Sequence, residues 1–167
     1  MRKPASLRAF LTEAVPFFAR EPDRLHVFVD EGQLVATGVP GLSHELRYVL
    51  NLVVVDYPDS PDALMLPLLA WSRVNQPELF ENPARRDDGV RFEVDVNNND
   101  TVDISVKINL TERVIARPDQ AEPHRLHVTH ADEPVHPWLP RQGEPHAVYL
   151  DGKQIATLPY PVGPADV

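Results

Sequence analysis

Asp95, Asn97 and Asn99 stand two residues apart in FEVDVNNNDTVDISVKINL, residues 92–110, the spacing with which a calcium-binding EF-hand loop opens. Such a loop needs Gly at its sixth position for the bend and a bidentate Glu at its twelfth. Counted from Asp95, those positions hold Asp100 and Val106. Neither can serve, so the stretch reads as a turn and no metal ligand is assigned to it. A second constellation is the run His124, His127, His130 and His136. A spacing of three would present two imidazoles from one helix face. Pro123 and Pro134 bracket the run, however, and Val128 and Thr129 favour extended chain. In a strand His124 and His130 share a face yet stand about 20 Å apart. The run reads as a solvated, mildly pH-sensitive linker rather than a zinc site, whose ligands converge.

No phosphate-cradling glycine loop and no G-x-S-x-G is present, and Gly is scarce at 7 residues. There is no Cys, which removes disulfides and thiolate chemistry. No catalytic residue and no cofactor are therefore expected. The rival enzyme reading, a small metal-dependent enzyme using the His run or the Asp95/Asp103 pair, would require a stoichiometric metal.

The elements that position these residues follow from periodicity. Val90, Phe92, Val94 and Val96 alternate with charged residues, as do Val102, Ile104, Val106, Ile108 and Leu110 downstream. Period two on both sides marks a hairpin. Keeping one face apolar on both strands sets the register: Val96 opposite Val102, Val94 opposite Ile104, Phe92 opposite Val106. The loop is then Asn97 to Thr101. The same register sets Asp95 against Asp103, a like-charge pair to be relieved by a cation, a basic group or a partner subunit.

Residues 5–20 carry Leu7, Phe10, Leu11 and Val15 at helical spacing, with Pro16 as a kink or stop. Leu25, Val27 and Val29 alternate in a strand, followed by an expected turn near Glu31–Gly32 and a second short strand over 33–37. RYVLNLVVVDY, residues 47–57, is apolar on both faces and predicts a central strand. Ser60, Pro61 and Asp62 open a helix that Pro77 closes. Its apolar residues exceed what one core face needs. From Pro118 to Pro145 six prolines fall within 28 residues and periodicity fades, predicting an extended arm. The arm leads to AVYLDGKQIATL, where Asp151–Gly152 signals a hairpin too small to fold alone. It must dock on this chain or on a neighbour.

The expected architecture is α+β: a mixed or antiparallel sheet with an N-terminal helix and a second helix packed on it. The division is a core over 1–117, a proline-rich arm over 118–145, and a terminal hairpin and tail over 146–167. The net charge of −9 disfavours a nucleic-acid-gripping surface but suits a surface past which DNA slides. No stretch has the length of a membrane span or the pattern of a secretory signal, and cytoplasmic synthesis is expected.

Taken in order, SLRAFLTEAVP, RYVLNLVVVDY, LPLLAWSRVNQPEL and DVNNNDTVDISVKINLTERV resemble the tail completion protein R family of P2-like contractile-tailed phages. The likeness runs from about Arg2 to Val114, and LAWSRVNQPEL and NNNDTVDISVKINLTER are its most specific pieces. The resemblance implies a non-enzymatic virion protein that closes the head-proximal end of a phage tail or of a tail-derived bacteriocin. It implies a homohexameric ring contacting tail tube and sheath, with a docking face for a head-completion or neck protein and DNA passing through the lumen unbound. A head-side neck adaptor is the alternative. Candidate contact residues are Arg85 and Arg86 in one loop; Asp95, Asn97, Asn98, Asn99, Asp100 and Asp103 at the hairpin; and Tyr149, Asp151 and Gly152 at the terminal hairpin, a candidate clasp. Removal of 118–167 is expected to leave a folded core.

Overall fold

Proline positions set the first breaks in the chain. In the computed structural model, which describes residues 1–38, 40–97, 100–122, 124–134 and 143–159, α1 (Lys3–Ala14) stops short of Pro16, which starts the brief α2 (Pro16–Arg20). Proline lacks the N–H that would continue the first helix but fits the opening turn of the second. α1 buries Leu7, Phe10, Leu11 and Ala14. Phe17 and Phe18 pack on Tyr57, with ring centroids 5.1 and 5.8 Å away, and tie α2 to the sheet.

β1 (Leu25–Ala36) is one strand of 12 residues, not the two with a turn that Glu31–Gly32 suggests. The pairing shifts between Val29 and Glu31, so Asp30 is accommodated as a bulge and the strand continues. β2 (His44–Tyr57) supplies a partner for the whole length of β1, and a turn there would leave the β1-facing edge of half of β2 bare. β2 is central, between β1 and β4 (Val102–Pro118), with β3 (Val90–Val96) beyond β4 and every pairing antiparallel. α3 (Asp62–Asn75) starts one residue later than predicted, with Pro61 at the N-cap and no side-chain cap. α4 (Glu78–Glu81) and α5 (Pro83–Arg86) are single turns leading into β3.

α1 and α3 lie over one face of the sheet. Leu50, Leu52 and Val54 of β2 and Ile104, Val106 and Ile108 of β4 are fully buried there. Each such side chain contributes about 1.5–3 kcal/mol relative to exposure. On the other face Val49, Val53 and Val55 are half-buried and Asn51 is buried.

Residues 118–145 are not an arm throughout. Leu126–His130 forms β5 and pairs with β4 from Val114 to Pro118, returning to the same sheet. The edge of β4 explains why. β3 pairs it up to Ile108, the Asn109 amide donates to Gly89 O at 3.0 Å, and the Thr111 amide to Gln76 Oε1 at 3.0 Å. Beyond that point 17-residue β4 would present bare backbone, and β5 covers it, beginning with the Ala131 amide on Arg113 O at 2.9 Å.

β6 (His146–Leu150) and β7 (Lys153–Leu158) form a separate two-stranded sheet. Its turn residues Asp151 and Gly152 have φ of 49° and 82°, the left-handed pair that a two-residue hairpin of type I′ demands. β7 packs on α3 and α1 of its own chain, and Ala156 and Leu158, 1 % and 5 % exposed, join the main core. The apolar surplus on α3 is thus partly met within the chain, leaving Leu66 and Leu69 exposed.

Candidate interaction surfaces

The 90–110 hairpin has the register its alternation predicts: Phe92 opposite Val106, Val94 opposite Ile104, Val96 opposite Val102 and Asp95 opposite Asp103. The Asn97 amide donates to Thr101 O at 2.9 Å, and its side chain to Thr101 Oγ1 at 3.1 Å and Asp103 Oδ1 at 3.0 Å. Asp100 lies exposed with φ of 60°, and Asn98 and Asn99 lie outside the described residues. The Asp103 side of the Asp95/Asp103 pair is met by donors of its own chain. Asp103 Oδ1 accepts the Asp56 amide at 2.7 Å as well as Asn97. Those two bonds, the Asp56 amide first, hold the Asp103 carboxyl below the usual aspartate value, with the Arg24 charge assisting. Asp95 points to solvent. No group of His, Asp or Glu among the described residues has metal-binding geometry.

Alternation predicts burial for the apolar face of β3, and here the structure differs. Phe92 is 61 % and Val96 81 % exposed, because β3 is an edge strand reaching past the helical layer. An exposed apolar edge is an interaction surface or an aggregation liability.

Arg85 and Arg86 end α5, whose first amides are capped by Asn82 Oδ1 on the Ala84 amide at 3.0 Å. Arg85 Nη1 stands 3.4 Å from Glu78 Oε1, and Arg86 Nε donates to Phe80 O at 3.1 Å. Arg85 walls a groove of about 690 Å³ over Glu31, Gln33, Arg47, Val49, Asn109 and Thr111, cross-strand neighbours on one sheet face. Gly89 closes this loop. A Cβ there would stand 2.8 Å from Arg85 O and 2.8 Å from Leu79 Cδ2. Gly89→Ala is expected to displace α5, lower stability by about 2 kcal/mol and reduce Tm by about 4–8 °C in thermal unfolding.

Tyr149, Asp151 and Gly152 are exposed at the end of the terminal hairpin. Lys153 Nζ pairs with Asp59 Oδ1 at 2.8 Å, just ahead of α3.

The feature that sequence reading missed is a buried polar cluster around Glu112, 4 % exposed. Its carboxylate accepts the Arg2 amide at 2.7 Å, the Lys3 amide at 3.1 Å and Tyr48 Oη at 2.5 Å. It thereby satisfies the opening amides of α1 from a strand 110 residues away in sequence. His130 Nδ1 lies 2.8 Å from Glu112 Oε2, an ion-pair distance without the alignment of a hydrogen bond. Lys3 Nζ donates to Gln76 Oε1 at 2.6 Å and Glu133 Oε1 at 2.8 Å, while Arg2 Nη1 reaches His130 O and Asp132 Oδ1 at 3.2 Å each. Burial by itself raises the Glu112 pKa, but the bonds from Tyr48, Arg2 and Lys3 outweigh it and hold the carboxyl below its usual value. Tyr48 shifts the other way, driven up by burial first and by Glu112 second, and stays neutral. A signal existed: Glu112 occupies an apolar-face position of β4, between Leu110 and Val114. A charged residue at such a place requires a partner.

The His run is correspondingly divided: its 126–130 part is a largely exposed strand rather than a linker, and only His130 is drawn inward. His124 is exposed, His127 Nε2 pairs with Asp119 Oδ2 at 2.5 Å, His130 turns inward to Glu112, and His136 lies outside the described residues. LAWSRVNQPEL and NNNDTVDISVKINLTER, distant in sequence, meet where Gln76 bonds both the amide and, at 2.9 Å, the hydroxyl of Thr111.

Comparison with known proteins gives the family of the chain. The profile described as P2 phage tail completion protein R (GpR) matches residues 1–134. Tail completion protein R of Escherichia phage P2 is 38 % identical over 157 residues, spanning 93 % of this chain and 97 % of that protein. The likeness therefore extends well past Val114. No solved structure matches the chain. Among the described residues no helix is long and apolar enough to cross a membrane.

Proposed function

Since the chain belongs to the P2 phage tail completion protein R family, we propose that it completes the head-proximal end of a contractile phage tail, or of a tail-derived bacteriocin. Membership makes it a structural component of a phage tail. The finer reading is a homohexameric ring that caps tube and sheath and offers a face to a head-completion or neck protein. The observation that carries it is end-to-end likeness to a protein named for tail completion, over 97 % of that protein's length. The net charge of −9 supports a lumen through which DNA passes without sticking. Exposed Phe92 and Val96 on an unshielded edge support contact with a further protein surface. In this reading Arg85 and Arg86, the tip from Asn97 to Asp100 with Asp95 and Asp103, and Tyr149, Asp151 and Gly152 are the contact regions.

Light scattering of the purified protein, alone and with isolated tail tubes, tests the proposal. A hexamer, or a monomer that becomes one ring per tube end, is the expected result. A monomer that ignores tubes would overturn it, and a pull-down with portal-side proteins would then test the head-side adaptor.

A further inference from the structure

We propose that the 146–158 hairpin is exchanged between copies of this chain, so that β7 of one protomer packs on α1 and α3 of the next. The inference rests on the oligomeric reading above and specifies how its subunits are joined.

The occupant of this docking face is visible in the structure. The hairpin belongs to no other sheet, and it engages the core through β7, with Ala156 and Leu158 buried, and through Lys153 against Asp59. None of these contacts depends on which copy supplies the hairpin, so closed and exchanged forms make the same bonds. What decides between them is the tether and whatever each form covers besides.

The tether permits exchange. Residues 131–145 separate β5 from β6, and 15 residues span at most about 50 Å. A folded chain of 167 residues has a radius of gyration near 15 Å and is roughly 40 Å across. Four prolines in that stretch, Pro134, Pro137, Pro140 and Pro145, reduce the entropy lost on reaching outward. The closed form also leaves apolar surface uncovered: Tyr149 is 62 % exposed, Leu150 stands beside it, and Leu66 and Leu69 remain exposed on α3 itself. A neighbouring copy brought alongside by its own hairpin is placed to cover them. Giving the hairpin to one neighbour and receiving one from the other is a head-to-tail contact, the kind that closes a ring.

The test uses the absence of native Cys, which makes labelling site-specific. Lys153→Cys and Asp59→Cys are made on separate full-length chains and as a double variant. An exposed ion pair is a minor contribution, so its loss leaves the hairpin docked. The two single variants are mixed under denaturing conditions and refolded together. They are assembled with tail tubes, treated with a short bis-maleimide and run on a denaturing gel, while light scattering reports their size. Exchange predicts covalent dimers in the mixture and a ladder of higher multimers in the double variant. A ring whose double variant gives only internally linked monomers, with no dimer from the mixture, would overturn exchange while leaving the ring intact. A chain that light scattering finds monomeric in every sample overturns the oligomer and the exchange together.

Discussion

Truncation after Arg117 is expected to yield a chain with little folded protein at 37 °C, rather than the intact core that the proline-rich composition suggests. Two separable losses produce this. Ending the chain at Pro145 removes β7 and uncovers the α1–α3 surface on which Ala156 and Leu158 are buried. That costs about 3 kcal/mol, or roughly 6–12 °C in Tm. Ending it at Arg117 also removes β5, so that the outer edge of β4 beyond Thr111 is bare. It takes away His130 beside Glu112 and the Glu133 partner of Lys3 as well. These together cost a further ~2–3 kcal/mol, against a total stability of about 5–15 kcal/mol. Thermal unfolding of the full chain, residues 1–145 and residues 1–117 measures both steps. Equal Tm values for all three would show that neither β5 nor the hairpin supports the core.

Glu112→Ala is expected to destabilise by about 3 kcal/mol, the usual effect of deleting one member of a buried charged cluster. The loss leaves the Tyr48 hydroxyl and two opening amides of α1 without their acceptor, and Lys3 stays buried nearby. The same residue gives the protein a defined acid response. Its carboxyl is held below the ordinary glutamate value of 4.5 in the folded state. A depressed folded pKa means that the contribution is complete above the unfolded value and is lost as pH falls through the folded one. Stability should therefore decline with acid below about pH 4.5. Glu112→Gln should flatten part of that decline while lowering stability at neutral pH. Denaturant midpoints of wild type and Glu112→Gln between pH 3 and 7 decide the matter. Parallel curves would exclude Glu112 as the titrating group.

Local periodicity by itself determined much of this protein. The alternation around residues 92–110 set every pairing of that hairpin, because one slipped residue would turn the whole apolar set outward. Pro16 ended α1, and Asp151–Gly152 marked a turn whose backbone conformation those residues tolerate. The apolar run over 47–57 declared β2 central, and the order of four short segments pointed to the family. Tertiary structure alone decided the remainder. Glu31–Gly32 is a turn signal, yet β1 runs through it because β2 offers pairing along its whole length. Leu126–His130 has weak strand character, yet it is a strand because β4 has a bare edge to fill. Phe92 and Val96 alternate like core residues but stay exposed, since alternation reports a shared face and not how far the helices extend over it. Glu112 was legible as an oddity at an apolar position, but its partners at Arg2, Lys3, Tyr48 and His130 are separated along the chain and converge only on folding. Spacing within one element fixes which way side chains point, whereas the needs of a distant edge or a buried charge are set by elements elsewhere in the chain.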